Sequence, residues 1–402
     1  NIVLKICEVC NNPKLKNVLD LGRHPLCDDL VPLNSKKKNK FYKIQILFCP
    51  KCFTAHQKFQ VKKKILFPKK YHYRARFTKD VINGMKDLVN DIRKFNGNLK
   101  NKTVLDIGCN DGTLLNFFKK EGCNTIGIEP TDASKDAKKN HLVINSFFDD
   151  RTVKKLKKFV KNIDIITFTN VFAHIENLKN LIRNLKKIIS KNTLVVIENH
   201  YLGSVLEKSQ FDTFYHEHPR TYSFSSFDYI SKSLGLKITN VKFPKRYGGN
   251  IRVFLGNHKL SKQDFKKIKN KEKKFLIQFL KLGKKIDNWK LKKKKLIEKI
   301  FLKHGKLDGK AFPGRAAILV RLLSLDGYIS TVYEKKSSMK IDHYIPGTRI
   351  PIKSDELLIN KIDKIKILLN FAWHISREIR IYLKNLGYKG RIIDIIQKKD
   401  FE

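Results

Sequence analysis

A chain of 402 residues with a hydrophobic share of 41% has enough apolar mass to bury a core in each of two or three domains, and no stretch of about 18 apolar residues suggests a transmembrane span. The formal net charge of +48 resembles a nucleic-acid footprint, yet the excess is nearly all lysine and is spread over the whole length. A solvated lysine surface is therefore the preferred reading, nucleic acid is disfavoured as a partner, and a small anionic ligand remains compatible. The opening N-I-V-L-K-I-C-E-V-C has no long apolar secretory region, so a cytoplasmic location is expected.

In chain order, Cys7 and Cys10 form one C-x-x-C and Cys49 and Cys52 another. Two such knuckles can set four thiolates around zinc with no position left open, which predicts a structural metal; disulfide pairing suits a cytoplasmic chain less well. Tyr71 and Tyr73 follow, spaced either to pack on one strand face or to present a phenol to a site. A periodic helix is expected from about Thr78 to Phe95.

T-V-L-D-I-G-C-N-D-G-T, residues 103–113, reads as a buried strand running into a glycine turn and a helix. Asp106 ends the strand, and Gly108, Asn110, Asp111 and Gly112 form the turn, with Asn110 where a dinucleotide fingerprint has its second glycine. The next strand, Asn124 to Ile128, ends on Glu129, an acid placed to accept hydrogen bonds from ribose hydroxyls. An adenosine site without a pyrophosphate clamp suits S-adenosylmethionine better than NAD. Phe148 is a candidate wall for the adenine, and Asn170 and His174 follow a fourth strand on the side where ligands bind in open α/β sheets, which makes both candidates for the cofactor, although a lone His such as His174 is equally a satisfied structural residue.

Beyond a fifth strand comes F-D-T-F-Y-H-E-H, Phe211 to His218, dense in groups that move protons near neutral pH. Its H-x-H pair is open to metal binding as well, though no helical H-E-x-x-H accompanies it. Two further strands flank the Gly248-Gly249 turn, where Arg252 is cationic enough to meet a diphosphate. Residues 259–304 carry lysines on an apolar period, expected as a solvated helical face, and from Leu307 the α/β pattern returns as a second, smaller Rossmann-like domain.

With these blocks in place, the chain resembles the nucleotide-sugar C-methyltransferases of deoxysugar biosynthesis. The likeness rests on C-E-V-C with C-P-K-C, D-L-G-R-H-P-L, Y-H-Y, V-L-D-I-G-C-N-D-G-T-L-L, G-I-E-P, N-V-F-A-H-I, F-D-T-F-Y-H-E-H, Y-G-G-N-I-R-V-F and Y-I-P-G-T-R-I-P-I, in that order. The resemblance implies an α/β fold: a class I Rossmann-like methyltransferase core at 71–258 between a zinc-binding module at 1–70 and a basic helical linker at 259–304, with a C-terminal α/β substrate domain at 305–402. It also implies methylation of a carbon next to the ketone of a nucleotide-linked 4-keto sugar. The second His of Y-H-E-H, here His218, would take the proton, with Tyr215, Glu217 and Tyr73 lining the site and Tyr71, His216, Arg252 and Arg315 on the acceptor side. The family's glycine-rich C-terminal run is replaced by Phe312 to Leu319, where Arg315 stands in place of a lysine, and its W-N pair becomes Trp373-His374. The sequence names neither the sugar nor the oligomeric state.

Overall fold

The computed structural model describes residues 2–67, 74–77, 79–258 and 261–401. The chain divides into two units: Asn1–Lys16, Leu47–Lys208 and Glu217–Leu276 form the first, and Asn17–Ile46, Ser209–His216 and Ile277–Glu402 the second. No helix among the described residues is long and apolar enough to cross a membrane.

In the first unit the amphipathic helix α1 (Lys79–Asn96) turns Val81, Met85, Leu88, Val89 and Ile92 inward. It is followed by β1 (Thr103–Ile107), α2 (Thr113–Lys120), β2 (Asn124–Ile128), β3 (Leu142–Ile144), α3 (Asp150–Phe159), β4 (Ile165–Thr169), α4 (Leu178–Lys186), β5 (Leu194–His200), α5 (Phe224–Ser233), β6 (Lys237–Lys242) and β7 (Asn250–Gly256). The seven strands form one sheet in the order β6-β7-β5-β4-β1-β2-β3. β1 to β5 pair in parallel, whereas β7 runs antiparallel to both β5 and β6. Because helices cover both faces, β7 has all seven residues buried and β5 all but its last, which is why these strands read as continuous rather than alternating apolar runs. The strand order reverses between β1 and β4, the topological switch point beyond which such sheets bind ligands.

The two cysteine pairs belong to this unit. Cys7, Cys49 and Cys52 share a hydrophobic core with Phe168, Phe172, Tyr222, Phe224 and Phe227. The strand Ala55–Gln57 pairs antiparallel with Arg220–Thr221, setting His56 opposite Arg220.

The second unit holds β8 (Leu307–Lys310), β9 (Ile329–Glu334), β10 (Ile352–Ser354), β11 (Ile367–Asn370) and β12 (Arg391–Asp394), all parallel, in the order β10-β9-β8-β11-β12. Val31–Pro32 adds to it by pairing with His343–Tyr344. The Y-I-P-G-T-R-I-P-I run fastens this N-terminal segment: Arg349 donates to the carbonyls of Ser35, Lys36 and Lys37, and Gly347 donates its N–H to Asn39 Oδ1. Gly347 has φ +80°, and a Cβ there would lie 2.9 Å from Pro25.

The long helix α6 (Phe275–His304) carries most of the lysine-rich stretch. Its expected solvated face is only part of the helix: within the second unit Phe279, Leu282, Ile286, Trp289 and Ile297 are buried. Trp289 donates its indole N–H to the Ile395 carbonyl at 2.8 Å, and the buried Lys293 pairs with Asp400 at 2.9 Å. Truncating Trp289 to Ala removes one of the largest buried side chains and should destabilise this unit by roughly 3–5 kcal/mol, read as a lowered melting transition.

Candidate active site

The turn after β1 is shaped by three left-handed residues: Gly108 at φ +78°, Asn110 at +50° and Gly112 at +81°. Asn is among the few non-glycine residues that tolerate this region, which explains how the turn closes without its second glycine. A Cβ on Gly108 would lie 2.6 Å from Val171, so the loops after β1 and β4 meet at van der Waals contact. Asp106 is buried and its Oδ1 accepts from Thr167 at 2.7 Å. Burial, with Glu129's charge adding to it, pushes the Asp106 carboxyl up to about 7 although the Thr167 bond opposes this.

Glu129, buried at the end of β2, accepts the Asn110 N–H at 3.0 Å on one oxygen and the Thr131 N–H and hydroxyl on the other. That leaves one lone-pair site in a carboxylate held rigidly beside the turn. Asp111 caps the start of α2 through Thr113 and accepts from the Arg76 N–H, while Asn110 Oδ1 accepts from the Ala75 N–H. The turn and the strand ends beside it thus present three carboxylates, and the neighbouring Arg76 guanidinium is already held by Asp111 at 3.7 Å and by Asp136 at 2.8 Å. Such a surface repels a pyrophosphate and fits an adenosyl sulfonium, so the residues present suit S-adenosylmethionine. Phe148 is half-buried against the same core, and Asn170, at φ +54°, donates its N–H to the Glu198 carbonyl.

His174, expected beside the cofactor, sits in the short turn Phe172–His174 after β4 and packs instead toward His218, and His200 ends β5. Both approach His218, with ring centroids 4.8 Å and 5.7 Å away, and Glu217 Oε2 lies 3.9 Å from His174 Nδ1. Phe67 and Tyr247 close on His174 and His200 at 5.4 Å and 6.0 Å. Burial, reinforced by a charge on His218, holds the His174 pKa well below its ordinary value, so that imidazole is neutral.

Other expected residues lie elsewhere. Arg252 is buried and engaged by Glu198, at 2.6 Å, and by Asp91, which leaves it committed to carboxylates rather than a diphosphate. Tyr215 and His216 belong to the second unit, where His216 Nε2 bonds the Tyr42 carbonyl at 3.1 Å. Arg315 is there too, its Nε donating to Asp212 at 2.9 Å alongside the Trp373 indole N–H. Tyr71 and Tyr73 lie outside the described residues. His200 was not legible in the sequence, having only its place at a strand end to mark it.

The sulfur atoms of Cys7, Cys10, Cys49 and Cys52 all lie within 4.8 Å of one another. Each knuckle closes alike: the Asn11 N–H donates to the Cys7 carbonyl and the Phe53 N–H to the Cys49 carbonyl, both at 2.9 Å, with Asn11 and Phe53 left-handed. Four thiolates this close repel one another strongly, so the group calls for a cation to hold them. A tetrahedral zinc with Zn–S of about 2.3 Å satisfies this donor set.

This pairing of a class I sheet with an adenosyl-binding turn and a four-thiolate cluster defines a methyltransferase with a structural zinc. Comparison with known proteins agrees: residues 7–67 match a zinc binding domain, 77–241 a methyltransferase domain, and 245–394 a C-methyltransferase C-terminal domain. The chain is an S-adenosylmethionine-dependent methyltransferase that carries these three domains. It is 21% identical to the C-methyltransferase NovU of Streptomyces niveus over 95% of this chain and 93% of that protein. It is 30% identical to the ubiquinone biosynthesis O-methyltransferase of Coxiella burnetii, but over 23% of this chain and 40% of the relative. A solved S-adenosylmethionine-dependent methyltransferase from Archaeoglobus fulgidus is 18% identical with a TM-score of 0.34, covering 42% of this chain and 93% of its own.

Two outcomes follow for the site. Cys49→Ser should abolish the single bound zinc expected per chain, as measured by elemental analysis of purified protein. For Asp106, a folded-state pKa near 7 against 3.8 favours the protonated form on folding. Its stabilising share is complete below the unfolded value and is lost as pH climbs through 7, at about 1.4 kcal/mol for each pH step of one between the two values. Asp106→Asn should therefore melt progressively higher than the parent, both without cofactor, as pH is raised from about 5 to about 8.

Proposed function

We propose that this protein methylates a carbon adjacent to the ketone of a nucleotide-linked 4-keto sugar, with His218 as the base. The observation that carries this reading is the His174–His218–His200 cluster at the carboxyl ends of β4 and β5, in the same unit as Glu129 and the Gly108 turn. Carbon is a nucleophile only once the proton beside a carbonyl has been removed, and an imidazole suits that task near neutral pH. S-adenosylmethionine, when bound, supplies an electrophilic methyl on sulfur.

In this reading His218 accepts the C–H proton and the electron pair moves onto the ketone oxygen as an enolate. The enolate carbon would be the nucleophile for the methyl that the cofactor supplies, its sulfonium sulfur leaving as a neutral thioether, and His218 would return its proton to solvent. The neutral His174 beside it adds no competing positive charge, and Glu217, next to His218 in the chain, lies 3.9 Å from His174 Nδ1. Glu129 orients the ribose, and the Gly108 turn lets the cofactor approach the backbone. We further assign Tyr215 and Tyr73 to the sugar on the Y-H-E-H and Y-H-Y blocks of the sequence alone.

The test is His218→Ala assayed against dTDP-, GDP- and CDP-linked 4-keto sugars. Turnover should fall by roughly 10²- to 10⁴-fold with cofactor affinity unchanged, and unaltered turnover would remove His218 from the reaction. The partial likeness to O-methyltransferases makes methylation at oxygen the competing outcome, and NMR of the product separates a new C–CH₃ signal from O–CH₃.

A further inference from the structure

Arg220 has no exposed surface, yet it lies two residues beyond His218. Its Nη1 donates to Glu8 Oε2 at 2.6 Å and to the Glu176 carbonyl at 3.4 Å, and its Nε donates to the Tyr222 hydroxyl at 2.8 Å. Nη2 has no hydrogen-bond partner among the described residues. Glu176 is itself two residues beyond His174. One guanidinium therefore joins the segments that carry both imidazoles of the proposed acceptor site.

Its counter-ion comes from the cysteine module. Glu8 stands between Cys7 and Cys10, and it also accepts from Gln60 Nε2 at 2.9 Å. His56 lies 3.7 Å from Glu8 on one side of its ring, and on the other its Nε2 is 3.3 Å from Cys7 Sγ.

The backbone repeats the connection. Arg220 and Thr221 pair with His56 and Ala55, and the Gln57 N–H donates to the Pro219 carbonyl at 2.8 Å. The Cys52 carbonyl accepts from the Ser223 hydroxyl at 3.1 Å, and Ser223 caps α5. Both knuckles thus grip the chain on the C-terminal side of His218, Cys7 through Glu8 and His56, and Cys52 through Ser223.

We propose that Glu8 and Arg220 are positioning residues. They transmit the geometry of the zinc knuckles to His218 and His174, so the metal fixes the spacing of the imidazole pair as well as the fold of its own module. This rests on the acceptor-site reading above.

The test uses full-length, zinc-loaded protein with ¹⁵N-labelled histidine and no substrate. Glu8→Gln leaves a buried guanidinium without its counter-ion, so the double variant Glu8→Gln/Arg220→Met is made beside it to leave no stranded charge. Zinc content and S-adenosylmethionine affinity should match the parent in both. The imidazole signals of His174 and His218 should shift or broaden, while those of His141, which bonds Thr125 and Asn116 away from this network, stay in place. A folded, zinc-loaded variant with unmoved His174 and His218 signals would overturn the proposal; if the single variant does not fold, the double variant decides. Shifted signals combined with full turnover by His218→Ala would retain the positioning role and discard His218 as the base.

Discussion

A guanidinium wholly removed from water has to be met by its surroundings, because leaving such a charge unpaired costs about 3–5 kcal/mol. Arg220 is that group here, and much of the first unit can be understood from how it is met. Its partners come from the first cysteine knuckle, from the loop after β4 and from Tyr222. A module that holds a metal, a sheet that builds an adenosyl turn and a segment rich in titratable groups are thereby drawn into one core, in which Cys7 and Cys52 pack with Phe172 and Tyr222.

The sheet shows why the two halves of the site are chemically different. The cofactor half, around Asp106, Asn110 and Glu129, is made of carboxylates and backbone amides on tight turns. The acceptor half, around His174, His200 and His218, is aromatic and imidazole-rich, with Phe67 and Tyr247 at its edge. Under the function proposed above, the first half would favour a cation and the second would handle protons, a division of labour suited to methyl transfer from a sulfonium to a carbon acid.

What the sequence disclosed depended on range. The C-x-x-C pairs, the strand running into the Gly108 turn and the acid at Glu129 are each written in fewer than a dozen consecutive residues, so backbone chemistry alone exposes them. His200, Glu8, His56 and Arg220 act only through neighbours far along the chain, and nothing local distinguishes them. The lysine-rich helix failed to disclose its buried side for a related reason. Lys293 and Trp289 sit on the same apolar period as the exposed residues, and only tertiary packing against Asp400 and Ile395 separates them. Arg252 looked free to meet an anion because its carboxylate partners, Asp91 and Glu198, come from other elements. F-D-T-F-Y-H-E-H is contiguous in sequence but divides between His216 and Glu217, where the chain passes from the second unit to the first.

The pairing of Glu8 with Arg220 also bears on the order in which the protein can assemble. The cysteines that meet across the cluster are 45 residues apart, whereas Glu8 and Arg220 are 212 apart. By loop-closure entropy the longer contact is about 1.4 kcal/mol harder to form from an open chain. Loop entropy therefore favours closing the knuckles before the segment bearing His218 docks onto them. The methyltransferase would then acquire its metal before His174 and His218 are in place, so a nascent chain stalled at that stage would be zinc-loaded with its histidine cluster still unassembled.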